Sequence, residues 1–153
     1  MIIISAMSEN RVIGSGNGMP WSVPAEYEQY LRFVTGQAVI MGRRTYEIFG
    51  PDLTDSTTKI VVTRRDTLNG VQVAGSLESA LHLANDSGKS VFVAGGAMIY
   101  RLALPIATEM YLSTIKGSFD GDTYFPDFSL SAWKVVEERD EVDFIFRKYQ
   151  RRW

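Results

Sequence analysis

VFVAGGAMIY, residues 91–100, predicts a buried strand that runs directly through two glycines into a helix. The run VFVA lacks polar alternation, which is typical of a strand covered on both faces. Gly95 and Gly96 allow the backbone to approach a ligand closely, and the first N–H groups of the following helix offer hydrogen-bond donors to an anion. These residues alone indicate either a phosphate-binding turn or only a tight turn between strand and helix.

The chain on both sides of this segment alternates between strand and helix patterns. Apolar, β-branched runs predict further central strands at residues 2–4, 37–41 and 59–63. Helices are predicted at residues 24–35, 43–49, 77–85 and 96–104, with Ser76 as a helix N-cap. Later strands are predicted at residues 109–115, 133–139 and 144–151, the last two as a hairpin. We therefore expect one α/β domain over residues 1–153, with a mixed, mainly parallel sheet flanked by helices on both faces.

The composition excludes several classes of chemistry. The 153 residues contain no cysteine and one histidine, which excludes disulfides, thiolate metal sites and a cysteine nucleophile. His82 stands at helical spacing in ALHLA and is expected on a helix surface or at the edge of the core, so no metal site is expected. A net charge of -2 favours a small ligand over nucleic acid or an anionic membrane. No apolar run approaches the ~20 residues that cross a bilayer, and no basic leader precedes the first strand, so a cytoplasmic protein is expected.

Basic residues follow two of the predicted central strands. Arg43 and Arg44 come directly after Gly42 at the end of one strand, and Arg64 and Arg65 end the next. Ligands of open α/β sheets bind at the C-terminal ends of the parallel strands. Together with the glycine turn, these arginines predict a site for a ligand with several phosphates, such as a dinucleotide. A basic edge without a ligand is the alternative.

A glycine-rich loop, GSGNG at residues 14–18, lies between the first strand and the first helix. Its spacing departs from G-x-G-x-x-G, and no apolar helix follows, so it is not a dinucleotide-binding fingerprint. The loop is better interpreted as a mobile lid with glycine hinges, and an ordinary surface loop is the alternative.

Glu26 is the most informative carboxylate in the chain. It stands at a predicted helix start in WSVPAE, residues 21–26, among bulky apolar neighbours. Favourable pairing with the helix dipole explains such a position without any function. Burial beside Trp21 would instead raise the pKa of Glu26 and make it a proton donor or a hydrogen-bonding anchor.

Six motifs follow one another along the chain: RVIG at 11–14, MPW at 19–21, PAE at 24–26, VIMGR at 39–43, GGAMIY at 95–100 and GDTYFP at 121–126. In this order and spacing the chain resembles a bacterial dihydrofolate reductase over nearly its whole length. The resemblance implies an eight-stranded sheet with four helices, NADPH as the cofactor, and reduction of 7,8-dihydrofolate to 5,6,7,8-tetrahydrofolate by hydride transfer to C6 and protonation at N5. It also implies a monomer, a role in one-carbon metabolism, and inhibition by antifolates. Such chemistry needs no nucleophile, metal or histidine, in agreement with the composition.

The resemblance also implies roles for individual residues. Glu26 is expected to hydrogen-bond the 2-amino and N3 groups of the pterin and to assist protonation through water. The catalytic set is expected to be Glu26, Trp21, Tyr100 and Ser113. The substrate-binding set is expected to be Ile4, Ser5, Ala6, Glu26, Tyr27, Tyr30, Phe49, Leu53, Ala94 and Ser113. The cofactor-binding set is expected to be Ala6, Ile13, Gly14, Asn17, Gly18, Met19, Gly42, Arg43, Arg44, Thr45, Thr63, Arg64, Arg65, Ala94, Gly95, Gly96, Ala97, Met98, Ile99, Tyr100 and Thr123.

The segment after Leu53 departs from the family pattern. The family places an arginine there that binds the α-carboxylate of the folate glutamate, whereas this chain has TDSTT at residues 54–58. Loss of that contact is expected to weaken substrate binding by about 1.5 to 3 kcal/mol. Lys59 or Arg32 offers partial relief. Three alternatives stay open: loosely bound dihydrofolate, another dihydropterin or a related pyrimidine as substrate, and a cofactor-binding protein without turnover. Weaker binding of antifolates is a further expectation.

Overall fold

A computed structural model describes residues 1–14, 18–68 and 70–153 of the chain. Within these residues the strands are β1 (Ile2–Ser8), β2 (Val12–Gly14), β3 (Ala38–Gly42), β4 (Thr58–Val62), β5 (Gln72–Ala74), β6 (Val91–Val93), β7 (Glu109–Ile115), β8 (Thr123–Tyr124), β9 (Trp133–Asp140) and β10 (Phe144–Arg151). The α-helices are α1 (Pro24–Val34), α2 (Arg43–Phe49), α3 (Leu77–Asp86) and α4 (Ala97–Ala103), and a 3-10 turn (Gly50–Asp52) follows α2.

Eight of the described strands form one sheet in the order β5-β4-β3-β6-β1-β7-β10-β9. The first six strands in this order run parallel to one another, and β10 pairs antiparallel with β7. The last two form the C-terminal hairpin and pair antiparallel. The C-terminal ends of β1, β3, β4 and β6 therefore open on the same edge of the sheet, where ligands of such folds bind.

Successive side chains of the central strands pack on opposite faces of the sheet. Ile3 and Ile40 belong to the cluster that buries α3 and α4, whereas Ile4 and Val39 belong to the cluster that buries the end of α1. Strands covered in this way are apolar without alternation, which is why the runs at 2–4, 37–41, 59–63 and 90–94 were recognisable. The predicted α/β class, with helices on both faces, is confirmed.

The elements that sequence patterns missed are among the shortest ones. β5 at one edge of the sheet has three residues, and β2 pairs with the two-residue β8 outside the main sheet. The predicted Ser76 N-cap is present, since its hydroxyl accepts a hydrogen bond from the N–H of Ser79 at 3.1 Å. His82 is exposed on α3. Among the described residues, none of the helices has the length and apolar character of a membrane span.

Candidate active site

Glu26 is buried in the first turn of α1, although a carboxylate at a helix start is ordinarily exposed. Pro24 begins the helix, and the face that carries Glu26 packs against the sheet, leaving this residue 6% exposed. Burial raises the pKa of Glu26 from 4.5 to about 7, and a hydrogen bond with Ser113 opposes part of that rise. The carboxyl group therefore gains and loses a proton near neutral pH, as a group that handles protons in catalysis must.

Ser113 reaches Glu26 from the middle of β7. It pairs in register with Ala6 of β1 on one side and with Phe146 of β10 on the other, and it is 2% exposed. Its hydroxyl therefore meets the carboxylate inside the protein, away from competing water. The structure thus brings together Glu26 and Ser113, two members of the expected catalytic set.

A cavity extends from Glu26 between α1, α2 and the end of β1. Its lining is Ile4, Ser5, Ala6, Ile13, Met19, Glu26, Tyr27, Tyr30, Thr45, Phe49, Ala94, Gly96 and Tyr100. We call it the substrate cavity. Eight residues of the expected substrate-binding set belong to this lining. Leu53 lies instead in the apolar core with Val39, and Ser113 lies behind Glu26.

Tyr100 links the floor of the substrate cavity to the glycine turn. Its hydroxyl donates a hydrogen bond of 2.8 Å to the carbonyl of Ile4, and burial raises its pKa, so it stays a neutral donor. Gly95 has a φ of +104°, and a Cβ there would lie 3.0 Å from the Tyr100 ring. This position therefore requires glycine, because its φ is positive and because a side chain would crowd the Tyr100 ring. The Gly95-Gly96 peptide bond is cis.

A long groove with a volume of about 670 Å³ adjoins the substrate cavity at the strand ends. Ile13, Met19, Thr45, Phe49 and Gly96 line both spaces, so the two share walls. The volume lies in the range of cofactor sites, which is roughly 300 to 1,000 Å³. α2 and α4 begin on this groove after glycines, and no side chain caps their first N–H groups. Those donors and the neighbouring arginines fit the phosphates of a dinucleotide.

Most of the expected cofactor-binding residues line this groove. They are Ile13, Gly14, Gly18, Met19, Gly42, Arg43, Arg44, Thr45, Thr63, Arg64, Gly96, Ala97, Met98, Ile99 and Thr123. Ala6, Ala94 and Tyr100 line the substrate cavity instead. Gly95 and Arg65 line neither space, and Asn17 lies outside the described residues, as do Ser15 and Gly16 of the predicted lid.

The groove also has walls that the sequence interpretation missed, among them Gly75, Ser76 and Leu102. Gly75 and Ser76 follow β5 and precede α3, which is the same strand-to-helix arrangement as at Gly42 and Gly96. Recognising β5 would have identified them. Arg43 forms a 2.6 Å ion pair with Glu47 of the same helix.

Trp21 stands beside Glu26 with an unused donor. The side chain is 8% exposed and meets Phe119 edge to face, with ring centroids 5.8 Å apart. Its Nε1 atom is buried and has no hydrogen-bond partner among the described residues. Trp21 and Glu26 line one further cavity together. A buried donor of this kind is suited to a polar ligand atom or a water molecule next to the carboxyl group.

Residues of the segment at 54–58 make hydrogen bonds that stabilise the fold. Thr57 is buried, and its hydroxyl donates to the carbonyl of Val34 at 3.1 Å and accepts from the N–H of Gly36, which holds the end of α1. Arg32 is exposed on α1. Among the described residues, neither lysine nor arginine lines the substrate cavity.

Comparison with known proteins agrees with this geometry. The family model described as Dihydrofolate reductase matches residues 1–151. Dihydrofolate reductase of Bacillus subtilis is 32% identical to the chain, over 97% of the chain and 93% of that protein. Dihydrofolate reductase type 3 of Salmonella typhimurium is 37% identical, over 88% of the chain and 83% of that protein. A solved structure of the Enterococcus faecalis dihydrofolate reductase, complexed with NADP(H) and RAB-propyl, superposes with a TM-score of 0.87 at 28% identity and covers 98% of the chain and 95% of its own. The chain belongs to the dihydrofolate reductase family.

Proposed function

We propose that this chain reduces 7,8-dihydrofolate to 5,6,7,8-tetrahydrofolate with NADPH, and that Glu26 holds the pterin and governs the proton that N5 receives. The observation that carries the proposal is the buried Glu26 carboxyl, with a pKa of about 7, at the end of a cavity that shares its walls with a dinucleotide-sized groove. The family and its named relatives support dihydrofolate over another dihydropterin or a related pyrimidine.

The groove residues are proposed to hold NADPH. The N–H groups that begin α2 and α4 and the side chains of Arg44 and Arg64 are suited to its phosphates, because they are donors and cations on one edge of the sheet. NADPH, when bound, supplies the hydride that adds to C6 of the dihydropterin.

Glu26 is proposed to act first as an anchor. Its two carboxylate oxygens match the paired donors of the pterin 2-amino and N3 groups, and Ser113 keeps the carboxylate oriented. The ring of the substrate then lies against Ile4, Ala6 and Tyr100, which are apolar or neutral walls. Such an environment favours a flat heterocycle over water.

Glu26 is also proposed to supply the proton for N5 through a water molecule. With a pKa of about 7 it is partly protonated at neutral pH, so it releases a proton without a large energetic cost. Trp21 lines a cavity together with Glu26, and its buried Nε1 donor has no hydrogen-bond partner among the described residues. It thereby limits bulk water while leaving a position for an ordered one.

Glu26→Gln tests the proposal. We expect NADPH oxidation with dihydrofolate to slow by about 100-fold or more at neutral pH, because general acid catalysis contributes roughly 10² to 10⁴. NADPH affinity, measured by fluorescence titration, should stay unchanged. Glu28→Gln is the matched control, since Glu28 is exposed on the same helix. An unchanged rate in Glu26→Gln would contradict the role of Glu26.

The substrate is tested by comparing dihydrofolate, a tail-less 7,8-dihydropterin and a ribosylaminopyrimidine in the same NADPH assay. Turnover of dihydrofolate supports the proposal. Turnover of only one of the other two would overturn the substrate assignment, and NADPH binding without any turnover would indicate a binding protein. We further propose that the protein is a monomer in the cytoplasm. Size-exclusion chromatography with light scattering tests the monomeric state, and fractionation of cells tests the location.

A further inference from the structure

Gln29 is a second buried polar side chain on α1, one turn after Glu26. It is 6% exposed, and its amide nitrogen Nε2 lies 3.4 Å from Oγ of Ser113. Its amide oxygen Oε1 accepts a 2.5 Å hydrogen bond from Nη2 of Arg139, a residue 110 positions away in sequence. Since Ser113 also forms a side-chain hydrogen bond with Glu26, a chain of hydrogen bonds runs from Arg139 through Gln29 and Ser113 to Glu26.

The register of the sheet explains how Arg139 reaches the helix. Arg139 of β9 pairs with Phe146 of β10, and Phe146 pairs with Ser113 of β7. Side chains directly opposite in an antiparallel pair lie on the same face, so all three face α1. The guanidinium of Arg139 lies over the Phe146 ring, 4.8 Å from its centroid, which directs the group towards Gln29.

The contact with Arg139 determines which way the Gln29 amide is turned. A guanidinium has only donors, so the atom that it meets must be the amide oxygen, and the amide NH₂ must then face Ser113. The Ser113 oxygen accepts this hydrogen bond, and its own hydrogen is left to point at Glu26. The direction of each bond is thus set by the one before it.

We propose that Gln29 and Arg139 are positioning residues that keep the Ser113 hydroxyl donating to the Glu26 carboxylate. The inference rests on the proposed function of Glu26 as the group that handles the proton. A donor to the ionised carboxylate favours ionisation, so loss of the chain raises the pKa.

The other groups around Glu26 do not replace this chain. Tyr27, Tyr30 and Tyr100 face the carboxyl, and burial raises the pKa of each, so they remain neutral. Asp52, on the 3-10 turn, accepts the hydrogen bond of the Tyr27 hydroxyl. Arg139 itself lies 2.9 Å from Glu141 and 3.5 Å from Glu137, which reduces its long-range field. Its effect on Glu26 therefore passes through the orientation of Gln29 rather than through its charge.

The test measures the pH dependence of single-turnover hydride transfer from NADPH to dihydrofolate. We expect Gln29→Met and Arg139→Met to move the apparent pKa of this step upward by about one pH unit, which is the effect of one hydrogen bond to a charged group. Ser113→Ala should give a shift of the same size. Gln29→Met added to Ser113→Ala should give no further shift, since both changes remove the same donation. Arg139→Lys, which keeps a cationic donor, should restore much of the wild-type profile.

A merely structural role gives a different result. If Arg139 and Gln29 only fasten the C-terminal hairpin to α1, both variants lose thermal stability and keep the wild-type pH profile, which would overturn the inference. Additive shifts in the Ser113→Ala background would also overturn it. Arg139 is half exposed, so Arg139→Met keeps the test available if Gln29→Met does not fold. Failure of the proposed function gives a different result from failure of this inference. If the proposed function is wrong, the wild-type protein itself shows no hydride transfer from NADPH to dihydrofolate.

Discussion

The hydroxyl of Tyr27 donates a 2.5 Å hydrogen bond to Oδ2 of Asp52 and so connects α1 to the 3-10 turn after α2. Tyr27, Phe49 and Asp52 line the further cavity that Trp21 and Glu26 share. Tyr27 also stacks on Tyr30, with ring centroids 5.8 Å apart, and lies across from Phe49 at 6.1 Å. This cavity therefore has aromatic walls and carries the Asp52 carboxyl group.

Asp52→Asn is expected to lower the KM for dihydrofolate two- to fivefold. Dihydrofolate carries an anionic glutamate, and removal of a nearby exposed anion relieves repulsion of about 0.5 to 1 kcal/mol. The effect should shrink as salt is added, because exposed charges are screened. A tail-less dihydropterin serves as the control substrate, and its KM should not change. Equal changes for both substrates would contradict an electrostatic cause.

Glu26 is expected to make the stability of the ligand-free protein depend on pH. Its pKa is raised from 4.5 to about 7, so the folded state holds this proton more tightly than the unfolded state. The stabilisation is complete below pH 4.5 and is lost as the pH rises to about 7, at a total of about 3 kcal/mol. Urea unfolding across this range should show the loss in the wild-type protein and not in Glu26→Gln. Parallel pH curves for the two proteins would refute the assignment.

Gly95→Ala is expected to destabilise the protein by about 2 to 4 kcal/mol and, because Gly95 is joined to Gly96 of the groove lining, to weaken NADPH binding by tenfold or more. The new Cβ would lie 3.0 Å from the Tyr100 ring, and a positive φ strains any residue other than glycine. Gly88→Ala is the matched control, since Gly88 also has a positive φ but has no atoms within 4 Å of the new Cβ. Thermal unfolding and fluorescence titration measure both effects. If the two variants behave alike, crowding against Tyr100 is not the cause.

Arg64→Ala is expected to raise the KM for NADPH about tenfold and to leave the KM for NADH nearly unchanged. Arg64 lines the groove next to Thr63, where a charged hydrogen bond to the additional phosphate of NADPH is available. Arg65→Ala is the control, because Arg65 is exposed and lies outside the groove lining. Similar losses from both substitutions would indicate a general charge effect instead of a contact.

Sequence patterns predicted the helices and strands whose formation depends on residues that are close together in the sequence. The run at residues 37–41 predicts a strand because its residues are buried on both faces, and Pro24 and Ser76 mark helix starts through backbone chemistry. Strand β5 was not predicted, because three residues at a sheet edge are too few to show a pattern of apolar residues.

The position of Glu26 in the site was predictable, whereas the groups that surround it were not. The contact between Gln29 and Arg139 depends on the register of three strands, and no local pattern contains that information. The same holds for Thr57, whose hydroxyl serves the end of a helix more than twenty residues earlier in the sequence. These contacts are therefore set by the pairing of segments far apart in the sequence, which local sequence patterns do not reveal.

The five residues that belong to both spaces have a thermodynamic consequence. One surface lines both the substrate cavity and the groove, and it consists of Ile13, Met19, Thr45, Phe49 and Gly96. A ligand that rearranges this surface in one of the two spaces therefore changes the affinity of the other space for its own ligand. Linkage requires the change to be reciprocal and equal in free energy. An inhibitor aimed at the pterin side is therefore also a probe of the nucleotide side, and its potency has meaning only at a stated concentration of NADPH.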